Sequence, residues 1–324
     1  MIDEYINKIF CGDALNVLKQ LPENSIDMVM TSPAYWGLRD YGIVGQLGLE
    51  KTFTEYIDKL CNIFNEVKRI LKLEGSCWVN IGDTYGGSGN GSWNAPIGIR
   101  GKQYRKTCNI DQEYLAKTKN FSKSLCLIPF RFAIEMCNRG WILRNTIIWY
   151  KPNCMPTSAH DRFTVDFEYL FFFTKNKKYY FKQQFENRLT SCENDWKKIE
   201  TSRKNREKYK LNTMDSYYRN TKSKDEIIEY AKQGRNKRCI WSINTYPTKE
   251  KHFASYPEKL CITPIKAGCP EQGIVLDPFF GIGTTGLVAL KLNRNFIGID
   301  LNKEYCDIAN KRISDYQKQG KLNL

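Results

Sequence analysis

Residues 273–286 constrain the fold of this 324-residue chain more than any other segment. An apolar, β-forming run ends at Asp277, a glycine-rich turn follows, and a helix is predicted to begin at Thr284. A second apolar strand then ends at Asp300, about twenty residues after the turn. This succession of strand, turn, helix and strand predicts an α/β fold built on a parallel sheet.

Three glycines of the turn form the pattern G-x-G-x-x-G: Gly281, Gly283 and Gly286. Together with Asp300, whose carboxylate would accept hydrogen bonds from ribose hydroxyls, they indicate a site for an adenosine-containing cofactor. The pattern alone does not choose between NAD and S-adenosylmethionine, and a glycine turn without any ligand is the remaining alternative.

A second informative segment lies near the N-terminus, where residues 25–30 are predicted to form a buried strand that Pro33 ends. Ser32 offers a hydroxyl acceptor, the carbonyl of Pro33 offers a second acceptor, and Tyr35 offers a flat ring for stacking. Two acceptors beside an aromatic ring can hold the exocyclic amino group of a base that has left its stack. A strand-ending turn with one core aromatic residue is the alternative.

Three observations favour S-adenosylmethionine over NAD. Asp277 directly precedes the glycines, where its charge would repel a pyrophosphate but suit an ammonium or sulfonium group. The glycine pattern begins only about forty residues before the C-terminus, so most strands must come from the N-terminal half. This is a circularly permuted order, in which Asp13 and Ser32 follow Asp300 in space. The segment around Ser32 also has a use with a methyl donor and none with a hydride.

Composition limits the class of partner and the compartment. The formal net charge of +15, from 50 Lys and Arg against 35 Asp and Glu, favours nucleic acid over an anionic membrane as partner. No apolar run is long enough to span a bilayer and no signal peptide is visible, so we expect a cytoplasmic protein. The twelve cysteines include no C-x-x-C pair, and only His160 and His252 could supplement them, so no metal site is predicted.

Local signals predict several further elements. Asp13 ends a strand and can either cap the helix that follows or accept a hydrogen bond from a nucleoside amino group. A capping box begins at Thr52 and predicts a helix that ends at Gly75. Residues 169–174 and 179–181 alternate around a polar turn, which predicts a terminal antiparallel hairpin on the sheet.

Composition also divides the chain into three parts. Residues 1–181 are predicted to be the catalytic part and residues 241–324 the cofactor-binding part of one domain. Within the first, residues 82–120 are rich in Gly, Asn, Ser and Lys and are interpreted as a mobile basic loop that closes over a large substrate, with a disordered insertion as the alternative. Residues 182–240 are dense in Lys, Arg, Asn and Tyr, which contact phosphates and base edges, although a solvated face is the alternative.

The chain resembles the amino-methylating DNA methyltransferases of the β class. In that class the catalytic segment comes first, the target-recognition region lies in the middle, and the cofactor segment comes last. The resemblance covers nearly all of the chain except the two basic stretches. It depends jointly on four segments: residues 31–36, 144–153, 252–257 and 277–285.

The resemblance implies a Rossmann-like methyltransferase sheet, mostly parallel with a terminal antiparallel hairpin and an inserted target-recognition region. It implies catalytic roles for Ser32, Pro33 and Tyr35, with Tyr35 stacking on a flipped base. The cofactor-binding residues that it implies are Asp13, His252, Ala254, Asp277, Phe279, Gly281, Gly283, Thr284 and Asp300. Of these, Asp13 would contact the adenine and Asp300 the ribose, while Asp277 and residues 252–257 would approach the methionine end.

The resemblance also implies the partners. They are S-adenosylmethionine as methyl donor, double-stranded DNA as substrate and a cognate restriction endonuclease as a candidate partner. No membrane partner is expected. The protein itself would be a monomer or homodimer in a bacterial or phage setting.

The sequence departs from the family pattern at one position. The family usually has a second proline after the serine, and this chain has Ala34 there, so the loop loses stiffness while the Pro33 carbonyl is retained.

In the family, serine at the first catalytic position usually accompanies N4 of cytosine, whereas Asp or Asn accompanies N6 of adenine. We therefore expect cytosine N4, with adenine N6 as the alternative and a non-catalytic DNA-binding protein as the alternative of another class.

Overall fold

The structure, a computed structural model, describes residues 2–37, 42–86, 123–187, 234–246 and 256–322. The chain forms two units, a larger one of Met1–Lys182 with Cys239–Leu324 and a smaller one of Gln183–Arg238. In the smaller unit, two short strands pair in antiparallel fashion and an ion pair joins Arg235 to Glu186 at 2.8 Å. Most of the predicted mobile loop, most of the predicted recognition region, and both His252 and Ala254 lie outside the described residues.

The strands are β1 (Lys8–Cys11), β2 (Ile26–Thr31), β3 (Leu71–Ile81), β4 (Ile142–Tyr150), β5 (Phe167–Thr174), β6 (Phe185–Glu186), β7 (Arg235–Asn236), β8 (Ile240–Ser242), β9 (Ile274–Asp277) and β10 (Asn295–Asp300). The helices are α1 (Ala14–Leu18), α2 (Phe53–Ile70), α3 (Ile128–Asn138), α4 (Glu258–Gly268), α5 (Thr284–Lys291) and α6 (Lys303–Leu322). Strands β6 and β7 belong to the smaller unit and the other elements to the larger one.

Eight strands of the larger unit form one sheet in the order β1-β10-β9-β2-β3-β5-β4-β8. All are parallel except β5, which runs antiparallel to both β3 and β4. The predicted Rossmann-like α/β sheet is therefore confirmed. Because β9 pairs directly with β2, the glycine-rich turn and the Ser32 segment leave the sheet at neighbouring positions. The circular permutation relative to other methyltransferases stays a prediction.

The apolar core lies on both faces of this sheet. Side chains alternate along a strand, so Val29 packs on one face while its neighbours Met28 and Met30 pack on the other. Helices α1, α2 and α3 cover the first face, and α4, α5 and α6 cover the second. These three side chains of β2 are fully buried, as expected for a central strand of a sheet covered on both faces.

The predicted hairpin between residues 169–174 and 179–181 is wrong. Strand β5 is already paired on one edge with β3 and on the other with β4, so it has no free edge for residues 179–181. Tyr179 and Phe181 instead pack their rings against Phe172, with centroids 5.7 and 5.8 Å away. The antiparallel hairpin of this sheet is formed by β4 and β5, and it is not terminal because β8 pairs with β4.

The predicted end of the second helix at Gly75 is also wrong. Helix α2 ends at Ile70, and Leu71 turns directly into the extended conformation that begins β3. Gly75 lies inside that strand, where a β-carbon would stand 2.6 Å from the side chain of Leu71 and 3.0 Å from the carbonyl oxygen of Asp27. Glycine is therefore required at this position by close packing and not as a helix stop signal.

Candidate active site

A cavity of about 420 Å³ lies in the larger unit at the carboxyl ends of the parallel strands. Its walls include residues just after or at the end of four neighbouring strands: Asp13 after β1, Ser32 after β2, Phe279 after β9 and Asp300 in β10. This volume is within the range of small-molecule sites, and this edge of an open α/β sheet is where ligands bind.

The cavity brings together most of the residues that the sequence predicted for the two halves of the site. Those that line it are Asp13, Ser32, Pro33, Tyr35, Phe279, Gly281, Thr284 and Asp300. Asp277 and Gly283 are not among the lining residues. The predicted catalytic and cofactor segments, far apart in the sequence, therefore share one cavity.

Two carboxylates line the part of the cavity near the glycine turn. Asp13 caps α1 by accepting a hydrogen bond from the backbone N–H of Asn16 at 2.9 Å. Asp300 accepts hydrogen bonds from the backbone N–H groups of Gly281 at 2.6 Å and Asn302 at 2.8 Å. Burial raises the pKa of Asp300, and these two hydrogen bonds oppose the rise. Each carboxylate keeps lone pairs for amino or hydroxyl groups of a ligand.

The glycines around the turn pack against one aromatic ring. A β-carbon at Gly283 would lie 3.2 Å from the ring of Phe280, one at Gly286 would lie 2.6 Å away, and one at Gly298 would lie 2.5 Å away. The ring is buried and stacks on Phe296 with the centroids 5.5 Å apart. Gly283 also has a φ of +80°, which favours glycine. These glycines allow the turn to fold closely over β10.

We expect Gly298→Ala to lower the free energy of unfolding by about 1–3 kcal/mol, because the added methyl group overlaps a ring that cannot move aside. Gly12→Ala is the matched control, since a β-carbon there meets only Val17 at an ordinary 3.5 Å. Urea denaturation of the two variants measures the difference. Equal midpoints for both would contradict this account of the packing.

The buried carboxylate of Asp277 joins the glycine turn to the strand that carries Ser32. It is 1% exposed and accepts hydrogen bonds from the hydroxyls of Thr31 at 2.6 Å and Thr285 at 2.6 Å. The hydroxyl of Tyr256 at 3.1 Å and the backbone N–H of Phe279 at 3.0 Å complete its partners. Burial raises the pKa of Asp277 to about 6, and the hydrogen bonds limit the rise. In this geometry Asp277 fixes the strand and the turn relative to each other.

The hydroxyl of Ser32 is oriented by Asn80, which lies in β3. The Asn80 amide nitrogen donates to the carbonyl oxygen of Tyr169 at 3.1 Å, which turns the amide oxygen toward Ser32. That oxygen accepts the hydroxyl of Ser32 in a long hydrogen bond of 3.3 Å. Because the serine proton is directed to Asn80, the lone pairs of the serine oxygen are available to a donor in the cavity.

Tyr35 is fixed by an ion pair between Lys151, just after β4, and Glu168 in β5. Its hydroxyl donates to Glu168 at 2.6 Å, and the other carboxylate oxygen of Glu168 pairs with Lys151. Burial and the negative charge of Glu168 raise the pKa of Tyr35 well above its usual value, so the phenol stays neutral. Gly82 allows this placement, because a β-carbon there would lie 2.6 Å from the tyrosine ring.

The loop that contains Ala34 is held by hydrogen bonds. The hydroxyl of the buried Tyr56 donates to the carbonyl oxygen of Ala34 at 2.8 Å, and the indole N–H of Trp36 donates to the carbonyl oxygen of Glu50 at 3.0 Å. Gly48 permits the close approach, since a β-carbon there would stand 2.8 Å from the Tyr35 carbonyl oxygen. These contacts restrain the loop where the family usually has a second proline.

Sequence reasoning missed several residues of the cavity and its support: Asn80, Lys151 and Glu168, which line it, and Tyr56, which braces the loop. Two of them carried a signal. Lys151 belongs to the segment of residues 144–153 that resembles the family, and Glu168 is the one charged residue in the apolar run of β5. Asn80 and Tyr56 carried none, because their roles depend on contacts with distant parts of the chain.

Two other kinds of site are absent from the described residues. None of the described helices has the length and apolar character needed to cross a bilayer. Within the same ranges no group of three or more His, Cys, Asp or Glu could hold a metal ion. The ten cysteines there are free thiols.

Known proteins match this chain along most of its length. The DNA methylase family model N6_N4_Mtase matches residues 26–311. Type II methyltransferase M.Cfr9I of Citrobacter freundii is 39% identical over 94% of this chain and 87% of its own length. Type II methyltransferase M.SmaI of Serratia marcescens is 38% identical over 94% of this chain and 90% of its own length.

Solved structures share the fold at lower sequence identity. The PvuII DNA methyltransferase (cytosine-N4-specific) has a TM-score of 0.59 and 19% identity, and the match covers 93% of this chain and 84% of that one. A putative DNA modification methylase of Thermus thermophilus, solved with S-adenosyl-L-methionine, has a TM-score of 0.54 and 21% identity, over 95% of this chain and 93% of that one.

The sheet is open and mostly parallel, and it has a ligand-sized cavity at its carboxyl edge. Together with these matches, this architecture defines a Rossmann-like methyltransferase. The chain belongs to the N6_N4_Mtase family of DNA methylases and is a site-specific DNA methyltransferase that uses S-adenosylmethionine. The predicted class, cofactor and DNA substrate are confirmed. The cavity fits such a cofactor, because it combines the Phe279 ring with the two carboxylates that can accept from amino and hydroxyl groups.

Proposed function

We propose that this protein methylates N4 of cytosine in double-stranded DNA, on a base that has been flipped into the cavity. One observation supports the proposal most: Ser32, Pro33 and Tyr35 share a single cavity with Phe279 and Asp300. A base beside the first three residues and an adenosine beside the last two would meet inside it. The same cavity is compatible with N6 of adenine, because both bases present an NH₂ group.

The chemistry assigned to the catalytic residues is positioning and hydrogen-bond acceptance. An exocyclic amine is a poor nucleophile because its lone pair is delocalised into the ring. Ser32 and the Pro33 carbonyl would each accept one N–H, which draws the nitrogen toward tetrahedral geometry and frees its lone pair. Bound S-adenosylmethionine supplies the methyl group, carried on a positively charged sulfur.

Two lines of support favour cytosine over adenine. In the family that the chain resembles, serine at the position of Ser32 usually accompanies cytosine N4. The PvuII enzyme, which shares the fold, is cytosine-N4-specific.

Incubating the purified protein with S-adenosylmethionine and unmethylated plasmid DNA is expected to yield N4-methylcytosine. Mass spectrometry of the digested nucleosides separates this product from N6-methyladenine, which has a different base mass. Appearance of N6-methyladenine instead would move the target to adenine. Binding of DNA and cofactor without either product would support the non-catalytic alternative.

Further roles follow from the family and are part of the proposal. We infer that residues 182–240 recognise the target sequence and that residues 82–120 close over the DNA. A cognate restriction endonuclease and a cytoplasmic location would match the Type II relatives. Asp13 is assigned to the adenine, Asp300 to the ribose, and His252 and Ala254 to the methionine end of the cofactor.

The protein is proposed to be a monomer or a homodimer. Size-exclusion chromatography with light scattering distinguishes the two states.

A further inference from the structure

The loop between β4 and β5 lies at the rim of the cavity. It is closed at its base by a hydrogen bond from the backbone N–H of Lys151 to the carbonyl oxygen of Asp166 at 2.7 Å. Lys151, at the start of the loop, and Glu168, just after its end, both line the cavity. The residues between them therefore extend from the edge of the site.

Side-chain contacts hold this loop at several points. Asn153 exchanges two hydrogen bonds with the backbone of Thr245, at 2.8 and 2.9 Å, and Thr245 also lines the cavity. Asp161 pairs with Lys123 at 2.7 Å. The guanidinium of Arg162 lies 3.5 Å from the centroid of the Tyr85 ring. The loop is thus positioned by its neighbours and not only by its two ends.

This positioned loop exposes three apolar side chains. Phe163 is 96% exposed, Met155 is 73% exposed and Val165 is 49% exposed. A single exposed apolar residue is ordinary on a protein surface. Three on one anchored loop, with an almost fully exposed phenylalanine next to Arg162, indicate a surface that becomes covered when a partner binds.

We propose that Phe163 enters the DNA helix at the position that the target base vacates. This inference rests on the proposed function, because it needs a flipped base in the cavity. Extrusion of a base leaves a gap between the flanking base pairs, and apolar side chains are used as wedges in such gaps. Phe163 lies five residues before Glu168, which lines the cavity, a span of at most about 18 Å. The ring can therefore reach DNA whose base occupies the cavity.

Among the described residues, Val44 is the other nearly fully exposed apolar side chain near the cavity, at 97%. It lies between Ile43 and Gly45, which both line the cavity. Phe163 is the better candidate, because an aromatic plane can stack on both base pairs that flank a gap. The neighbouring Arg162 and the net charge of +15 favour the approach of DNA phosphates.

The test compares two DNA duplexes that carry the sequence modified by the wild-type enzyme, identified beforehand by sequencing methylated plasmid. One duplex is fully paired, and the other has an abasic site opposite the target base. We expect Phe163→Ala to lower kcat/KM at least about tenfold on the paired duplex and to restore near wild-type kcat/KM on the abasic one. Without a partner base the target leaves the helix readily, so the wedge is not needed.

Leu73→Ala is the matched control, because Leu73 is 59% exposed near the amino end of β3, at the opposite edge of the sheet. It should match wild type on both duplexes, and Phe163→Trp should retain most of the activity on the paired one. Equal rates of Phe163→Ala and wild type on paired DNA would overturn the proposal. An equal loss on both duplexes would overturn it too, because Phe163 would then contact DNA without filling the gap. Failure of the wild-type protein to methylate any DNA would instead refute the proposed function.

Discussion

Replacing Ser32 by alanine lowers kcat by about 10²–10³-fold, the effect of removing one preorganised hydrogen-bonding group from a transition state. The loss should appear in kcat, because in the proposed mechanism the amine lone pair becomes available only as the two acceptors draw the nitrogen out of plane. Affinity for S-adenosylmethionine stays near the wild-type value, since the carboxylates and Phe279 that line the other part of the cavity are unchanged. Single-turnover methylation of plasmid DNA and calorimetric titration with the cofactor measure the two quantities.

Ser25→Ala is the control for this substitution. Ser25 precedes the same strand at its other end, and its hydroxyl donates to the carbonyl oxygen of Pro22 at 2.7 Å, away from the cavity. Its kcat should equal that of the wild type. If Ser32→Ala retained full kcat, the assignment of the catalytic acceptor to Ser32 would be wrong.

Replacing Asp277 by asparagine changes how stability depends on pH. The pKa of this carboxyl is about 6 in the folded protein against 3.8 for the unfolded reference, a difference equivalent to about 3 kcal/mol. Because the folded pKa is raised, the contribution of Asp277 to stability is fully present below about pH 3.8 and is lost as the pH rises through about 6. The stability of Asp277→Asn relative to wild type should therefore rise by about 3 kcal/mol as the pH increases from below about 3.8 to above about 6.

The same substitution is expected to lower kcat at about pH 7.5 by about tenfold or more, because Thr31 loses the charged acceptor that fixes the residue before Ser32. The variant would then be least active at a pH where its stability relative to wild type is highest. Thermal unfolding across the same pH range measures the first effect and single-turnover methylation measures the second. Asp315→Asn, which removes an exposed charge from α6, controls for net charge. A stability difference that does not vary with pH would rule out a raised pKa for Asp277.

The errors in the sequence prediction have a common cause. Residues 179–181 have the composition of a strand, but the edge that they would need is occupied by β4. A glycine after a helical pattern is typical of a helix stop, but Gly75 lies inside β3. Glycine is needed there because Leu71 fills the space that a larger side chain would occupy. Composition reports a local preference, and in both places a contact with another element decided the outcome.

The sequence by itself determined the short-range features, because each depends on a few consecutive residues. The glycine turn after Asp277, the end of the strand at Pro33 and the capping of α2 by Thr52 all follow from backbone chemistry at the position itself. These features were sufficient to indicate the α/β fold, the class of cofactor and the segments that carry the predicted site.

Only the tertiary structure decided which polar groups meet. Thr31 and Asp277 are 246 residues apart in the sequence, Tyr35 and Glu168 are 133 apart, and Ser32 and Asn80 are 48 apart. Each hydrogen bond needs strands from distant parts of the sequence to be close in the sheet and in the right register, and register depends on the packing of the whole sheet. The orientation of the serine hydroxyl and the burial of Asp277 are consequences of that packing, so no local pattern contains them.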